Sequence, residues 1–164
     1  MPEVFVAAGS NVRPRENLRR ALALLRQTWP ALRSSQAWRN PAVGFEGEDF
    51  VNLVIGFDTD LPLPAVLERL HAAEAACGRP REAPKWAPRS MDLDVLLYGA
   101  EVGEFPGAVL PRPDLVRRPY MLGPMAEIAP GLVHPTLGRS MAELWESFPK
   151  DGLVMTPVGL EGAD

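Results

Sequence analysis

The apolar residues change period along the first hundred positions in a fixed order, and that order constrains the fold more than any other feature. Residues 3–8 form a short apolar run with Val4, Phe5 and Val6, ending at Gly9-Ser10-Asn11, and read as a strand. From Glu16, the residues Leu18, Ala21, Leu22, Leu25 and Trp29 recur at helical steps until Pro30 stops the run. Residues 34–39 make a weak strand. Residues 40–49 hold Pro41, Gly44 and Gly47 and read as a loop, and residues 50–58 are rich in Val, Ile and Phe and read as a strand. Asp60 then precedes Leu63, Val66, Leu67, Leu70, Ala73 and Glu74, a second helical face with Gly78 at the left-handed cap position. Residues 79–91 carry no periodicity and predict a long loop. The run Met91-Asp92-Leu93-Asp94-Val95-Leu96-Leu97-Tyr98 predicts a strand closed by Gly99. The order is βαββαβ.

That order predicts an α+β fold of the ferredoxin-like type, an antiparallel sheet with helices on one face. A C-terminal extension follows: a Pro-rich stretch over 106–119, a helix over 120–128 with Pro119 in its first turn, and a short helix capped by Ser140 and Glu143. There is no internal repeat. The 164 residues predict one domain, with residues 159–164 frayed, and a chain of this length buries roughly 70% of its unfolded surface. With 46% hydrophobic and 23% charged residues, a packed core is expected rather than disorder.

The apolar runs fall short of a bilayer span, and Met1-Pro2-Glu3 lacks the basic start of a signal peptide, so a cytoplasmic monomer with no membrane partner is expected. Cys77 is the one cysteine and reads as a helix-packing residue. A net charge of −4 argues against a general nucleic-acid binder. The charge is unevenly spread, however. Arg79, Arg81, Lys85 and Arg89 stand against Glu82 alone, and Arg112, Arg117 and Arg118 gather around Asp114, which suggests a small polyanionic ligand. Arg117 reads as a solvated charge. His71 and His134 lie in no ligand-spaced pair and read as surface or structural residues.

Asp92 and Asp94 are two apart on a strand, so both carboxylates leave one face with Cα atoms ~6.6 Å apart. Hard divalent cations bridged by phosphate match that spacing; a polar, solvated strand face is the plainer alternative. The apolar neighbours Leu93, Val95, Leu96 and Leu97 favour the first reading, because carboxylates in such surroundings need a cation or a hydrogen-bond network. The preceding basic loop adds what phosphoryl transfer requires, a reaction catalysed mainly by positioning and charge stabilisation. No G-x-x-x-x-G-K loop is present, and Gly9-Ser10-Asn11 reads as a strand end. No general base is evident.

The run Lys85-Trp86-Ala87-Pro88-Arg89-Ser90-Met91-Asp92-Leu93-Asp94-Val95-Leu96 resembles the signature of 6-hydroxymethyl-7,8-dihydropterin pyrophosphokinases. Further landmarks of that family follow in order: Ala8-Gly9-Ser10-Asn11, Asn40-Pro41-Ala42-Val43-Gly44, Phe50-Val51-Asn52, Leu110-Pro111-Arg112-Pro113, and Tyr120-Met121-Leu122 running to Glu127-Ile128-Ala129-Pro130. The resemblance implies transfer of diphosphate from ATP to the pterin hydroxymethyl group with release of AMP, a step of folate biosynthesis, with two Mg2+ ions held by Asp92 and Asp94. It further implies that Arg79 and Arg89 act on the phosphates in catalysis, and that Gly9, Val43, Phe50, Asn52, Trp86 and Tyr120 bind the pterin. In the same way it implies that Glu74, Arg81, Lys85, Val95, Arg112 and Arg118 bind ATP. Phe50 and Tyr120 would wall the ring, Asn52 would read its edge, and Trp86 would help close its loop over the site. Arg112 departs from the family, which commonly has histidine there, and a changed ATP affinity is expected.

The loops over 40–49 and 79–91 are expected to close on ATP. Two rival classes are an RNA-binding ferredoxin-like module, against which the acidic charge speaks, and a metal-dependent nucleotidyl transferase or cyclase. Release of diphosphate rather than AMP would identify the latter.

Overall fold

A computed structural model describes residues 1–42, 47–78 and 90–164. The main sheet is antiparallel in every pairing and runs in the order β5-β1-β4-β3-β8, with β2 also on β4. Its strands are β1 (Glu3–Ser10), β2 (Arg33–Ser34), β3 (Ala37–Asn40), β4 (Phe50–Asp58), β5 (Asp92–Tyr98) and β8 (Thr156–Val158). The expected central strands are present, β4 with the anticipated bounds and β1 two residues longer than read from the sequence.

Two helices, α1 (Pro14–Thr28) and α2 (Leu63–Ala76), pack on one face of the sheet. The periodic residues Leu18, Ala21, Leu22 and Leu25 of α1 are buried there, with Val66, Leu70 and Ala73 of α2, against the inward set Val4, Val6, Ala8, Leu53, Ile55 and Val95. Trp29 closes this layer by stacking on Phe57 at 4.0 Å and donating Nε1–H to Thr59 Oγ1 at 3.0 Å. Gly78 takes φ of 89°, the left-handed cap the sequence suggested. Cys77 is buried against α1, its Sγ 3.5 Å from the Asn17 carbonyl.

The extension covers the opposite face, so the sheet is flanked by helices on both sides rather than one. A 3-10 turn (Pro113–Val116), α3 (Pro119–Ile128) and α4 (Met141–Glu146) bury Leu115, Leu122, Met125 and Met141 against Phe5, Ala7, Val54, Leu96 and Leu97. Each fully buried side chain of this kind contributes about 1.5–3 kcal/mol of transfer free energy, so the second layer is part of the fold rather than an appendage. The Ser140–Glu143 capping box is formed, with Glu143 N donating to Ser140 Oγ and Ser140 N to Glu143 Oε1, both at 3.2 Å.

Two features of the extension were not legible in its Pro-rich composition. The segment contains a hairpin, β6 (Gly103–Phe105) with β7 (Ala108–Leu110), turning through Gly107 at φ 86°. The strand β8 pairs with β3 near the chain end. Beyond it, residues 159–164 carry no helix or strand, yet Arg15 Nε donates to Gly159 O at 2.8 Å and Arg15 N to Asp164 Oδ1 at 2.9 Å. No helix among the described residues is long and apolar enough to cross a membrane.

Candidate functional site

Strand alternation decides which side chains can meet. On β1, Phe5, Ala7 and Gly9 face the extension layer, while Val4, Val6 and Ala8 face α1 and α2. Register then carries that face across the sheet: Gly9 pairs with Asn52 of β4 on one side and with Asp92 of β5 on the other, and Ala7 likewise lies between Val54 and Asp94. The two carboxylates therefore leave one face, as their spacing predicted, and both are half-buried. A bulge between Phe5 and Val6 shifts the β1–β5 register beyond this point, which lets Leu96 and Leu97 both enter the extension core.

Gly9 permits a close approach of the Asn52 side chain. A Cβ there would collide with Asn52 Oδ1 and lie 3.8 Å from the Phe50 ring. Phe50, Asn52 and Gly9 thus converge on one face of the sheet. Asn52 is buried, and its Nδ2 donates to Asn40 Oδ1.

β5 is the sheet's edge strand, and two residues assigned to the nucleotide cover its edge. Glu74, near the end of α2, accepts the Leu93 backbone N–H at 2.9 Å, between the two aspartates. Arg112 N donates to Leu96 O at 3.0 Å, which carries the Arg112 side chain back to the carboxylates. Its Nη2 stands 3.7 Å from Asp94 Oδ2 and 3.8 Å from Asp114 Oδ2, and Arg118 Nε stands 4.0 Å from Asp114 Oδ1. Arg112 Nε is buried with no hydrogen-bond partner, so this guanidinium is held by charge rather than by a closed hydrogen-bond network.

Tyr120, in the first turn of α3, joins the same group. Burial is the main cause that pushes its phenol above its ordinary value, with Arg118 opposing and Asp114 and Asp94 adding to the rise. The phenol stays neutral at physiological pH and adds no negative charge beside Asp94 and Asp114.

Val95 is not brought to this group. It is 4% exposed and packs in the α1–α2 layer, on the opposite face from Asp92 and Asp94, so its side chain is a core residue. Arg117 is exposed, as expected. His134 is structural: 5% exposed, its Nδ1 accepts from Thr136 N at 3.3 Å and Leu137 N at 3.2 Å. Val43, Arg79, Arg81, Lys85, Trp86 and Arg89 lie outside the described residues, as does most of the loop expected to close over ATP.

Among the described residues no third His, Cys, Asp or Glu joins Asp92 and Asp94 in a metal-holding cluster. Two half-buried carboxylates on one strand face nonetheless suit magnesium, which keeps several waters and takes one or two carboxylates plus substrate phosphates rather than an all-protein cage. Reading the sequence missed Asn40 and Asp114 as members of the site. Both had a signal: Asn40 opens a family landmark, and Asp114 sits amid three arginines.

The family described as 7,8-dihydro-6-hydroxymethylpterin-pyrophosphokinase matches residues 5–130, which span the whole site. A 2-amino-4-hydroxy-6-hydroxymethyldihydropteridine pyrophosphokinase of Pseudomonas aeruginosa is 35% identical over 158 residues, covering 94% of this chain and 96% of that protein. Proteins of the same name from Synechocystis sp. and Bacillus subtilis are 34% and 36% identical, covering 95% and 76% of this chain and 81% and 76% of their own lengths. With the family match running from β1 through α3 and with relatives of that name aligned over most of both chains, the chain belongs to the 7,8-dihydro-6-hydroxymethylpterin-pyrophosphokinase family.

Proposed function

We propose that this chain transfers the terminal diphosphate of ATP to 6-hydroxymethyl-7,8-dihydropterin as a cytoplasmic, monomeric, single-domain enzyme of folate biosynthesis. The observation that carries the reading is the row Asn52–Gly9–Asp92 across adjacent strands, which sets an amide suited to a heterocycle edge beside a carboxylate suited to a phosphate-bound cation. The strand order β5-β1-β4-β3, with α1 and α2 on one face, supports a ferredoxin-like core beneath it.

In this reading the hydroxymethyl oxygen attacks the β-phosphorus, the bond from that phosphorus to the bridging oxygen of the α-phosphate breaks, AMP leaves with the oxygen, and the hydroxyl proton is released. Asp92 and Asp94 would hold two magnesium ions, which would supply neutralisation of phosphate charge and a lowered pKa for the attacking hydroxyl. The chain's own residues do the rest. Phe50 and Tyr120 hold the ring from its faces, Asn52 reads its edge, and the bare Gly9 backbone lets it approach the sheet. Arg112 and Arg118 hold the triphosphate beside the carboxylates, and Glu74 keeps the edge of β5 in place. The basic residues Arg79, Arg81, Lys85 and Arg89, with Trp86, Val43 and the Val95 backbone, complete the assignment to substrates.

The test is a turnover assay with ATP, magnesium and the pterin, separating AMP from diphosphate among the products. AMP that depends on pterin and vanishes in Asp94→Ala is the expected result. Diphosphate in place of AMP would mean nucleotidyl transfer and overturn the proposal.

A further inference from the structure

We infer that Asn40 is a positioning residue: it fixes which way the Asn52 amide faces, and so makes the pocket select a ring edge that donates hydrogen bonds. This rests on the pterin reading of Asn52 and adds to it a residue to which that reading gives no part. A carboxamide is nearly symmetric in shape but not in polarity, so it discriminates between ligands only when its oxygen and nitrogen are held apart.

The Pro41 carbonyl provides that distinction, because a carbonyl can only accept. Asn40 Nδ2 donates to it at 3.0 Å, which turns Asn40 Oδ1 towards β4, where it accepts from Asn52 Nδ2. Reversing Asn52 alone would set two amide oxygens against each other. Reversing both would set Asn40 Oδ1 against Pro41 O. Asn40 and Asn52 are 6% and 8% exposed, so water does not readily repair either arrangement, and a buried polar group left unpaired is costly.

The relay therefore has one direction, from a backbone acceptor through Asn40 to Asn52. Its outcome is visible at Gly9, where Asn52 Oδ1 occupies the space a Cβ would need. The pocket thus presents an acceptor oxygen at Asn52, with the second Nδ2 hydrogen beside it. That pattern complements an amino-lactam edge, in which ring N–H and amino donors adjoin a carbonyl. An analogue with an oxo group in place of the amino group keeps its ring N–H but replaces the amino donor beside Asn52 Oδ1 by a second acceptor, so one of the two donors facing that oxygen is lost. Sites built on fixed polar groups reject such analogues strongly, whereas a freely turning amide would adapt to either.

Calorimetric titration of 6-hydroxymethylpterin and of its 2-oxo analogue, with the magnesium complex of a non-hydrolysable ATP analogue present, tests the inference. The proteins are the wild-type chain, Asn40→Leu, Asn40→Ala, Asn40→Asp and Asn52→Ala. The wild type should prefer the amino compound. Asn40→Leu should weaken its binding by about three- to tenfold, the worth of one ordinary hydrogen bond, and reduce the preference by a similar factor. Asn40→Ala removes the same acceptor without bulk and should behave alike even if the leucine variant folds poorly. Asn40→Asp still accepts from Asn52 Nδ2 although its second oxygen opposes Pro41 O, so it should bind the amino compound more weakly than the wild type yet retain the preference, which a merely space-filling role would not distinguish. Unchanged preference in both Asn40→Leu and Asn40→Ala, with the preference lost in Asn52→Ala, would overturn the role of Asn40 and leave the pocket reading standing. Unchanged pterin binding in Asn52→Ala would overturn the pocket reading and the inference with it.

Discussion

Replacing Arg112 by alanine separates what its guanidinium contributes to the fold from what it contributes to a triphosphate. Nη2 lies 3.7 Å from Asp94 Oδ2 and 3.8 Å from Asp114 Oδ2. Unit charges so spaced attract by about 4 kcal/mol at an effective dielectric constant of 20. The Arg112, Asp94 and Asp114 side chains are 33%, 31% and 36% exposed, however, and neither separation is a hydrogen bond, so solvent screening leaves about 0.5–1 kcal/mol per pair. Against this stands the buried Nε without a partner, a cost of about 1–3 kcal/mol that alanine removes. The contributions nearly cancel, and Arg112→Ala should shift the melting temperature by no more than about 3 °C. Binding has no such compensation. Charge-assisted hydrogen bonds to phosphate are worth about 1.5–3 kcal/mol, so the Kd of a magnesium-bound ATP analogue should rise about 10- to 150-fold. Arg112→His should also change that Kd, because imidazole is mostly uncharged at neutral pH and shorter in reach. Thermal unfolding and calorimetry measure the two quantities on the same samples. A large loss of melting temperature with an unchanged Kd would make Arg112 a structural ion-pair partner and refute the assignment to ATP.

Two further predictions follow from the packing. Gly9→Ala forces Asn52 away from the sheet and should cost about 1–3 kcal/mol of stability as overpacking, while weakening pterin binding far more than ATP binding; equal weakening of both would show that the collision is relieved elsewhere. Burial holds the pKa of His134 below its ordinary 6.5, since protonation would add a charge in a nearly closed site and end the acceptance from Thr136 N and Leu137 N. A folded-state pKa below the unfolded one contributes stability that is present above the unfolded value and lost as pH falls through the folded one. Resistance to urea should therefore fall as pH drops below the ordinary histidine value of 6.5, and more in the wild type than in His134→Asn; identical losses would exclude His134 as the source.

The parts of the fold legible in the sequence are those whose length allows a period to show. β1, β4, β5, α1 and α2 each repeat their pattern several times, and the strand alternation that put Asp92 and Asp94 on one face is the alternation observed. β6, β7 and β8 are three residues each and cannot display a period; Pro157 sits within β8, tolerated because that strand is at an edge. The site divides the same way. Its strand residues could be read from local sequence, whereas the approach of Arg112 to Asp94 depends on a backbone hydrogen bond between Arg112 and Leu96, set by the path of the hairpin. Val95 shows the converse. A residue between two carboxylate positions and a core position belongs to the core by alternation alone, and its assignment to ATP came from family resemblance rather than from its face.

The division of labour within the site explains why the extension packs so tightly. The strands β1, β4 and β5 supply Gly9, Phe50, Asn52, Asp92 and Asp94, which in the proposed function are a pocket wall and a pair of negative charges. A triphosphate would be repelled by those carboxylates without the opposing charges of Arg112 and Arg118, and every one of these charges, with Tyr120, comes from the segment after the sheet's edge strand. Such charges steer and stabilise a substrate only if they are held in place, because ordering long side chains at the moment of binding costs entropy. Leu115 and Leu122, both essentially fully buried and flanking Arg118 in the chain, hold it there. The second hydrophobic layer thus does for the arginines what strand register does for the aspartates: it fixes their positions before the substrate arrives.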